Sequence, residues 1–304
     1  MTFKPITSAQ NEQYRLLVRA ASEPRFRRKH GYMWIEGQRL VLDFLARADA
    51  LATRWQAVAL VVSESLLDSE TAHEASLRCA DLGSGPAQLV LSDALYGGLS
   101  QLVQGPGLGL LAQLSPDRVE EPSSEPAVLP VMSGAQGIDG SHGLLPDVVL
   151  LDRVSDPGNL GGLLRSAAAA GCRQAWLLKG SAEAHSPKAL RAGMGAQFGM
   201  AIREDLELDQ LEPAIRALAG RLVLTVAPQV SGAVRLDRAA WLGDPSPLVW
   251  AFGQEGSGLS PDLLAWSQAR PVTIDQADAV ESLNVNAAAA VCLFERRRRL
   301  RSAD

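Results

Sequence analysis

A chain of 304 residues with 47% apolar and 21% charged side chains is composed like a soluble globular protein with room for two cores. No apolar run approaches the ~18 residues that span a bilayer, and "MTFKPITSAQNEQYR" at the N-terminus lacks the apolar segment of a secretory signal. The formal net charge of −5 argues weakly against a nucleic-acid partner for the molecule as a whole. Cys79, Cys172 and Cys292 are scattered, as are the four histidines, which fits a reducing, cytoplasmic setting and argues against a metal site.

In chain order, an amphipathic stretch (Ser8 to Ala21) leads through a basic loop to "YMWIEG". Between Arg15 and Arg39, seven basic residues (Arg15, Arg19, Arg25, Arg27, Arg28, Lys29, Arg39) oppose two acids, Glu23 and Glu36. That local excess is either a solvated face or a patch for phosphates, which Lys and Arg bind locally. A helical pattern follows from Gln38, then a buried strand, "AVALVVS" (57–63), and two further strands, "AQLVLS" (87–92) and "GLGLLAQL" (107–114). From Ser115 to Pro146, 14 of 32 residues are Gly, Pro or Ser and none is aromatic, so a linker is expected there.

Beyond it, strands are predicted at "DVVLLD" (147–152), "QAWLLK" (174–179), "RLVLTVA" (221–227), "LVWAFG" (248–253) and "PVTI" (271–274). Helical patterns fall between them, and a last helix is predicted from about Ser282 to Leu300. Apolar strands alternating with helices indicate a parallel sheet covered on both faces, with ligands beyond the carboxyl ends of its strands. Three turn motifs fall at such ends.

The first, "DPGNLGGLLRS" (156–166), fails the G-x-G-x-x-G spacing of a dinucleotide fingerprint, which removes a nicotinamide-dependent enzyme. Asn159 is suited to cap the following helix, and Arg165 has no capping task, so it is either solvated or functional. The second, "FGQEGSGLS" (252–260), sets Gly253, Gly256 and Gly258 around Glu255. It reads as a loop with positive-φ positions before a helix capped at Ser260 with Pro261 at its first position, or as bare backbone offered to a flat ligand. The third, "VESLNVNAAAAVCLFERRRR" (280–299), opens an apolar helix with Ser282 and Asn284. Its four alanines permit close helix packing, and its arginine run suits the negative end of a helix macrodipole.

In this order and after three strands, "DPGNLGGLLRSA", "GQEGSGLS" and "ESLNVNAA" resemble the SpoU/TrmH family of RNA 2′-O-ribose methyltransferases, SPOUT-class enzymes that use S-adenosyl-L-methionine. "SPKALRAGMGAQFGM" (186–200) is similar to the family's second helix. The stretch "ITSAQNEQYRLL…GYMWIEGQRLV" resembles a substrate-binding domain like ribosomal protein L30. The resemblance implies an α/β fold, with an L30-like RNA-binding domain at 1–114, the linker at 115–146 and a SPOUT domain at 147–304. That last domain is a parallel sheet closed by a deep trefoil knot, a rare exception to unknotted topology.

The resemblance also implies a homodimer and an RNA substrate, ribosomal in preference to transfer RNA. Carried over by position, it assigns Asn159, Arg165, Glu255, Ser282 and Asn284 to catalysis and Gly253, Ile274 and Leu283 to the cofactor, with Arg25, Arg27, Arg28 and Lys29 expected at the RNA. The chain departs from the family where Ile-Pro-Met and a glycine usually stand. Asp275, Gln276 and Asp278 occupy those positions, and "SLNVNAA" replaces the commoner "SLNVSVA". These departures keep open an RNA-binding homologue with weak or lost methyl transfer. Arginine stays protonated far above neutral pH, so Arg165 is expected to grip a phosphate or stabilise the emerging 2′-oxyanion rather than act as a free base.

Overall fold

The structure is a computed structural model that describes residues 3–83, 85–100, 105, 107–115, 145–277 and 283–301. The expected linker lies outside the described residues except for Ser115, Leu145 and Pro146, and so do Asp278 and Ser282. Packing divides the chain into two compact units, Met1–Val119 with His185–Arg191, and Glu120–Ala184 with Ala192–Asp304.

The first unit contains β1 (Lys4–Ile6), α1 (Glu12–Ser22), α2 (Pro24–His30), β2 (Tyr32–Glu36), α3 (Gln38–Ala46), α4 (Ala48–Leu51), β3 (Trp55–Ser63), α5 (Glu70–Ala80), β4 (Ala87–Leu91), α6 (Asp93–Leu99) and β5 (Leu108–Leu114). Its sheet has the order β1-β4-β3-β5-β2, with β1, β4 and β3 parallel and β5 antiparallel to both neighbours. Asn11 caps α1 by accepting from the Gln13 and Tyr14 amides at 2.8 and 3.3 Å. The helix then buries Tyr14, Leu17 and Ala21, spaced along one face, against Trp34, Val61 and Leu89 of the core. The stretch read as a basic loop is a helix, α2, opened by Pro24 and closed by Gly31 in the left-handed region at φ 66°.

The second unit contains β6 (Val148–Asp152), α7 (Pro157–Ala170), β7 (Gln174–Leu178), α8 (Pro187–Gly193), β8 (Ala201–Leu206), α9 (Leu211–Ala217), β9 (Arg221–Thr225), β10 (Val234–Arg235), β11 (Leu248–Gly253), α10 (Pro261–Leu264), β12 (Arg270–Thr273) and α11 (Val285–Arg301), with the unit division falling inside α8. Its seven strands run in the order β10-β12-β9-β11-β6-β7-β8, and every adjacent pair is parallel. Strand β6 is buried at every residue, as a central parallel strand must be. Neither β8 nor β10 was expected from sequence; both lie at sheet edges, where charges interrupt the apolar pattern.

The arginine run of α11 is not explained by the macrodipole alone. Arg296 is 0% exposed and pairs with the equally buried Asp147, with Nε to Oδ2 at 3.0 Å and Nη2 to Oδ1 at 3.2 Å. It also donates to the Leu242, Asp244 and Ser246 carbonyls. Asp147 in turn accepts from the Leu248 amide at 3.1 Å and Trp250 Nε1 at 3.0 Å. Every partner is satisfied, which is what a buried ion pair requires. Arg297 donates to the Ala170 carbonyl, and Arg298 and Arg299 clasp Glu295. Of the four alanines at 287–290, Ala289 alone is fully buried, while Ala287 is exposed. The close approach of α11 to α7 comes instead at Gly162, where a Cβ would lie 2.6 Å from Asn286 Nδ2.

Candidate active site

From β6 the chain builds β7 and β8 to one side of the sheet, whereas β11 and β9 lie on the other. The topological switch therefore falls between β6 and β11, where the crevice beyond the carboxyl ends holds ligands in open parallel sheets. The first motif follows β6, the second closes β11, and the start of α11 reaches the same edge.

After β6, Asp156 rather than Asn159 caps α7, accepting from the Asn159 amide at 2.9 Å with Pro157 at the first helical position. Relieved of capping, the Asn159 side chain meets Asn286, whose Nδ2 lies 3.5 Å from Asn159 Oδ1. Arg165 is exposed on α7 and has no hydrogen-bond or ion-pair partner among the described residues. Asp152, at the end of β6, is buried and accepts from the Ser260 amide and, at 3.1 Å, from Arg153 Nε. Arg153 is held at φ 56°, an uncommon conformation for a residue with a side chain.

The second motif folds back on itself through Gln254 and Gly258, each donating its amide to the other's carbonyl at 3.1 and 2.7 Å. A Cβ on Gly253 would lie 2.2 Å from the Gly258 carbonyl carbon and 2.4 Å from the Leu259 nitrogen, so only glycine permits this closure. Gln254 Nε2 reaches Ser155 Oγ at 3.4 Å and joins the two loops. Ser260 stands at the start of α10 as expected, with Pro261 following, yet its hydroxyl does not cap the helix. Ser260 Oγ is buried without a hydrogen-bond partner, and so are Thr273 Oγ1 at the end of β12 and Asn286 Oδ1.

The third motif supplies the link. Asn284 caps α11, its Oδ1 accepting from the Asn286 amide at 2.9 Å, while its Nδ2 donates to Glu255 Oε1 at 3.0 Å. Glu255, Asn284, Asn286 and Asn159 thus form one polar chain across the three motifs. Asn286, Asp152 and Arg153 were not singled out from sequence. A carboxylate closing an otherwise apolar strand was the available signal for Asp152, and the departure of "SLNVNAA" from "SLNVSVA" marked the position of Asn286 without giving it a role.

Of the residues assigned to the cofactor, Gly253 ends β11, Ile274 follows β12 half-buried, and Leu283 is 39% exposed, large for an apolar side chain. Asp275 has its carboxylate 2.8 Å from Arg235 Nη2, and Asp237 grips the same guanidinium at 3.0 and 3.1 Å. The hydrogen bonds that Arg235 donates to Asp237 push the guanidinium pKa above its ordinary value, and Asp275 adds to that. In the first unit, Arg25, Arg28 and Lys29 are exposed on α2. Arg27, expected beside them, is 4% exposed and donates to the Ala20 and Ala21 carbonyls at 3.0 and 3.1 Å, closing the end of α1.

Residues 146–294 match the model of the SpoU rRNA Methylase family. An uncharacterized tRNA/rRNA methyltransferase of Mycobacterium sp. (strain KMS) is 30% identical over 263 residues, spanning 86% of this chain and 77% of that protein. The chain belongs to the SpoU rRNA methylase family. A solved AdoMet-bound rRNA methyltransferase from Sinorhizobium meliloti superposes on this SpoU-family chain with TM-score 0.72 at 25% identity, over 98% of each. An RNA 2′-O ribose methyltransferase structure does so with TM-score 0.69 at 26% identity, over 97% of this chain and 99% of that one. Other curated SpoU-family relatives are matched over 52% and 40% of their own length, so the chain spans about half or less of those proteins. No helix among the described residues is long and apolar enough to cross a membrane.

Proposed function

We propose that the protein transfers a methyl group to a ribose 2′-hydroxyl of structured RNA, ribosomal in preference to transfer RNA, with S-adenosylmethionine as donor. The observation that carries this reading is the polar chain Glu255–Asn284–Asn286–Asn159 at the sheet's switch point, with Arg165 exposed on the same helix as Asn159 and without a partner among the described residues. The names of the AdoMet-bound and 2′-O ribose methyltransferase structures support it.

The residues fit the donor. The exposed Leu283 and half-buried Ile274 offer apolar surface to a flat base, and the exposed backbone of 255–257, outside the Gln254–Gly258 pair, offers polar groups. Thr273 Oγ1, buried and unpartnered, adds a hydrogen-bonding group at the same edge. Gly253, Ile274 and Leu283 would hold S-adenosylmethionine, which when bound supplies an electrophilic methyl group on a sulfonium. Arg165 grips an RNA phosphate or stabilises the emerging 2′-oxyanion, where a fixed cation is worth more than in water. Glu255 fixes Asn284, Asn284 fixes the start of α11, and Asn286 carries that order to Asn159. Ser282 completes the set assigned by position. Holding the hydroxyl oxygen in line with the methyl carbon can supply several kcal/mol of rate enhancement.

RNA affinity is assigned to the exposed Arg25, Arg28 and Lys29, with Arg27 supporting them from beneath. A homodimer is part of the proposal and is supported by an apolar stripe on α11, where Val291 and Phe294 are 45% and 47% exposed. A trefoil knot in the second unit and L30-like kinship of the first belong to the same reading. Mapping 2′-O-methyl sites in total RNA with and without the gene tests the function. One ribosomal site should vanish on deletion and return with the wild-type gene, and an unchanged map would overturn the assignment. If only a transfer-RNA site responds, the ribosomal preference fails alone.

A further inference from the structure

We propose that Arg235 is a positioning residue that holds the cofactor-side segment 274–277 in place through its ion pair with Asp275. The inference rests on the reading of Ile274 as a contact for S-adenosylmethionine.

Strand β10 is two residues long and lies at the sheet edge, with Val234 opposite Val272 and Arg235 opposite Thr273. So short a strand has little stability of its own, and side-chain contacts must help fix it. Asp237 binds the Arg235 guanidinium with two oxygens, Nε at 3.0 Å and Nη2 at 3.1 Å, which sets the plane of the fork. The fork then presents Nη2 to Asp275 Oδ2 at 2.8 Å. A guanidinium oriented by one carboxylate loses less freedom in meeting a second.

On the receiving side, residues 274–277 have no regular structure, and Asp275 and Ala277 are exposed. Among the described residues, Arg235 is the partner recorded for the Asp275 side chain. The pair therefore ties the segment after β12 to a neighbouring strand one residue beyond Ile274. The guanidinium is shared with Asp237, so the Asp275 carboxylate is anchored while the three groups together keep one negative charge.

Both side chains are substantially exposed, at 39% and 63%, so the expected effect is modest and screened by salt. Calorimetry with S-adenosylmethionine on the full chain should give a Kd raised about two- to fivefold by Arg235→Gln and by Asp275→Asn. The double variant should be no weaker than either single one, Asp275→Glu should restore binding, and raised salt should narrow the gap. In turnover, KM for the donor should rise while kcat holds. Hydrogen exchange on the cofactor-free protein gives the second readout, with faster exchange of the 274–277 amides in both variants. Wild-type-like Kd and exchange in both variants would overturn the clamp. Independent, additive losses would overturn the pairing. A wild-type protein that binds no donor, with loop exchange still accelerated in the variants, would instead overturn the cofactor reading and the positioning role with it.

Discussion

The two ends of the parallel sheet differ in what their polar groups are given to do. At the amino ends, Asp147 and Arg296 are wholly buried, and each hydrogen-bonding arm has a partner in the fold. At the carboxyl ends, Ser260 Oγ, Thr273 Oγ1 and Asn286 Oδ1 are buried without partners, and Arg165 stands exposed. Both ends carry charge close to apolar strands; the Asp147–Arg296 pair is closed, although Arg173 Nε just before β7 lacks a partner, whereas the carboxyl ends gather several unmatched groups. Unmatched buried polar groups occur elsewhere too, Trp34 Nε1 and Tyr96 Oη among them, so those at the carboxyl ends point to a ligand only together with the three motifs gathered there.

Breaking the closed end should have the largest effect. Arg296→Ala leaves the Asp147 carboxylate buried without its counter-charge, and urea denaturation should show a loss of about 3–5 kcal/mol. A loss below about 1 kcal/mol would mean the pair does not order that end. Next, Asn284→Ala removes both the α11 cap and the Glu255 contact, costing about 1 kcal/mol of stability. Its larger effect should be on methyl transfer, so melts and rates together separate it from Arg296→Ala.

The same division predicts two behaviours for neighbouring cations of α2. Neutralising Arg25, Arg28 and Lys29 should lower the slope of log affinity against log salt by roughly 0.7–1 per lost phosphate contact, with little change in melting. Arg27→Gln should instead destabilise by about 1–3 kcal/mol through its two carbonyl partners. An RNA slope unchanged in the triple variant would remove α2 from the interface.

The smallest expected effect concerns Glu295, whose carboxyl is held down to about 2 by the hydrogen bond from Arg298 and by Arg299 beside it. Because the folded value lies below the unfolded one of about 4.3, the stabilisation is complete above that pH and is lost as the pH falls toward 2. Glu295→Gln should cost less than about 1 kcal/mol at neutral pH, with the difference closing in acid. A pH-independent difference would assign the effect to packing.

Much of this was legible in the amino-acid sequence because burial leaves a pattern. The strands β6, β7, β9 and β11 are apolar runs and were expected within a few residues, whereas β1, β8 and β10 are short or charged edge strands without such a run. The three motifs were visible because glycine, proline and isolated polar residues after a strand stand out locally, and the fold brings them to one edge of the sheet. The roles within them were less legible. Asn159 and Asp156 are both good caps, and tertiary geometry assigns that task to Asp156 while turning Asn159 toward Asn286. Four consecutive arginines look alike in sequence, and only the fold sends Arg296 inward. The Arg235–Asp275 pair joins residues 40 apart, a separation that no periodicity announces.

The central claim, that Arg165 acts on the RNA while the later loops hold the donor, is tested most directly by Arg165→Ala. The account predicts a protein that melts like wild type and binds S-adenosylmethionine with unchanged affinity yet transfers no methyl group to RNA. Near-normal transfer by that variant, or loss of donor binding with it, would contradict the account.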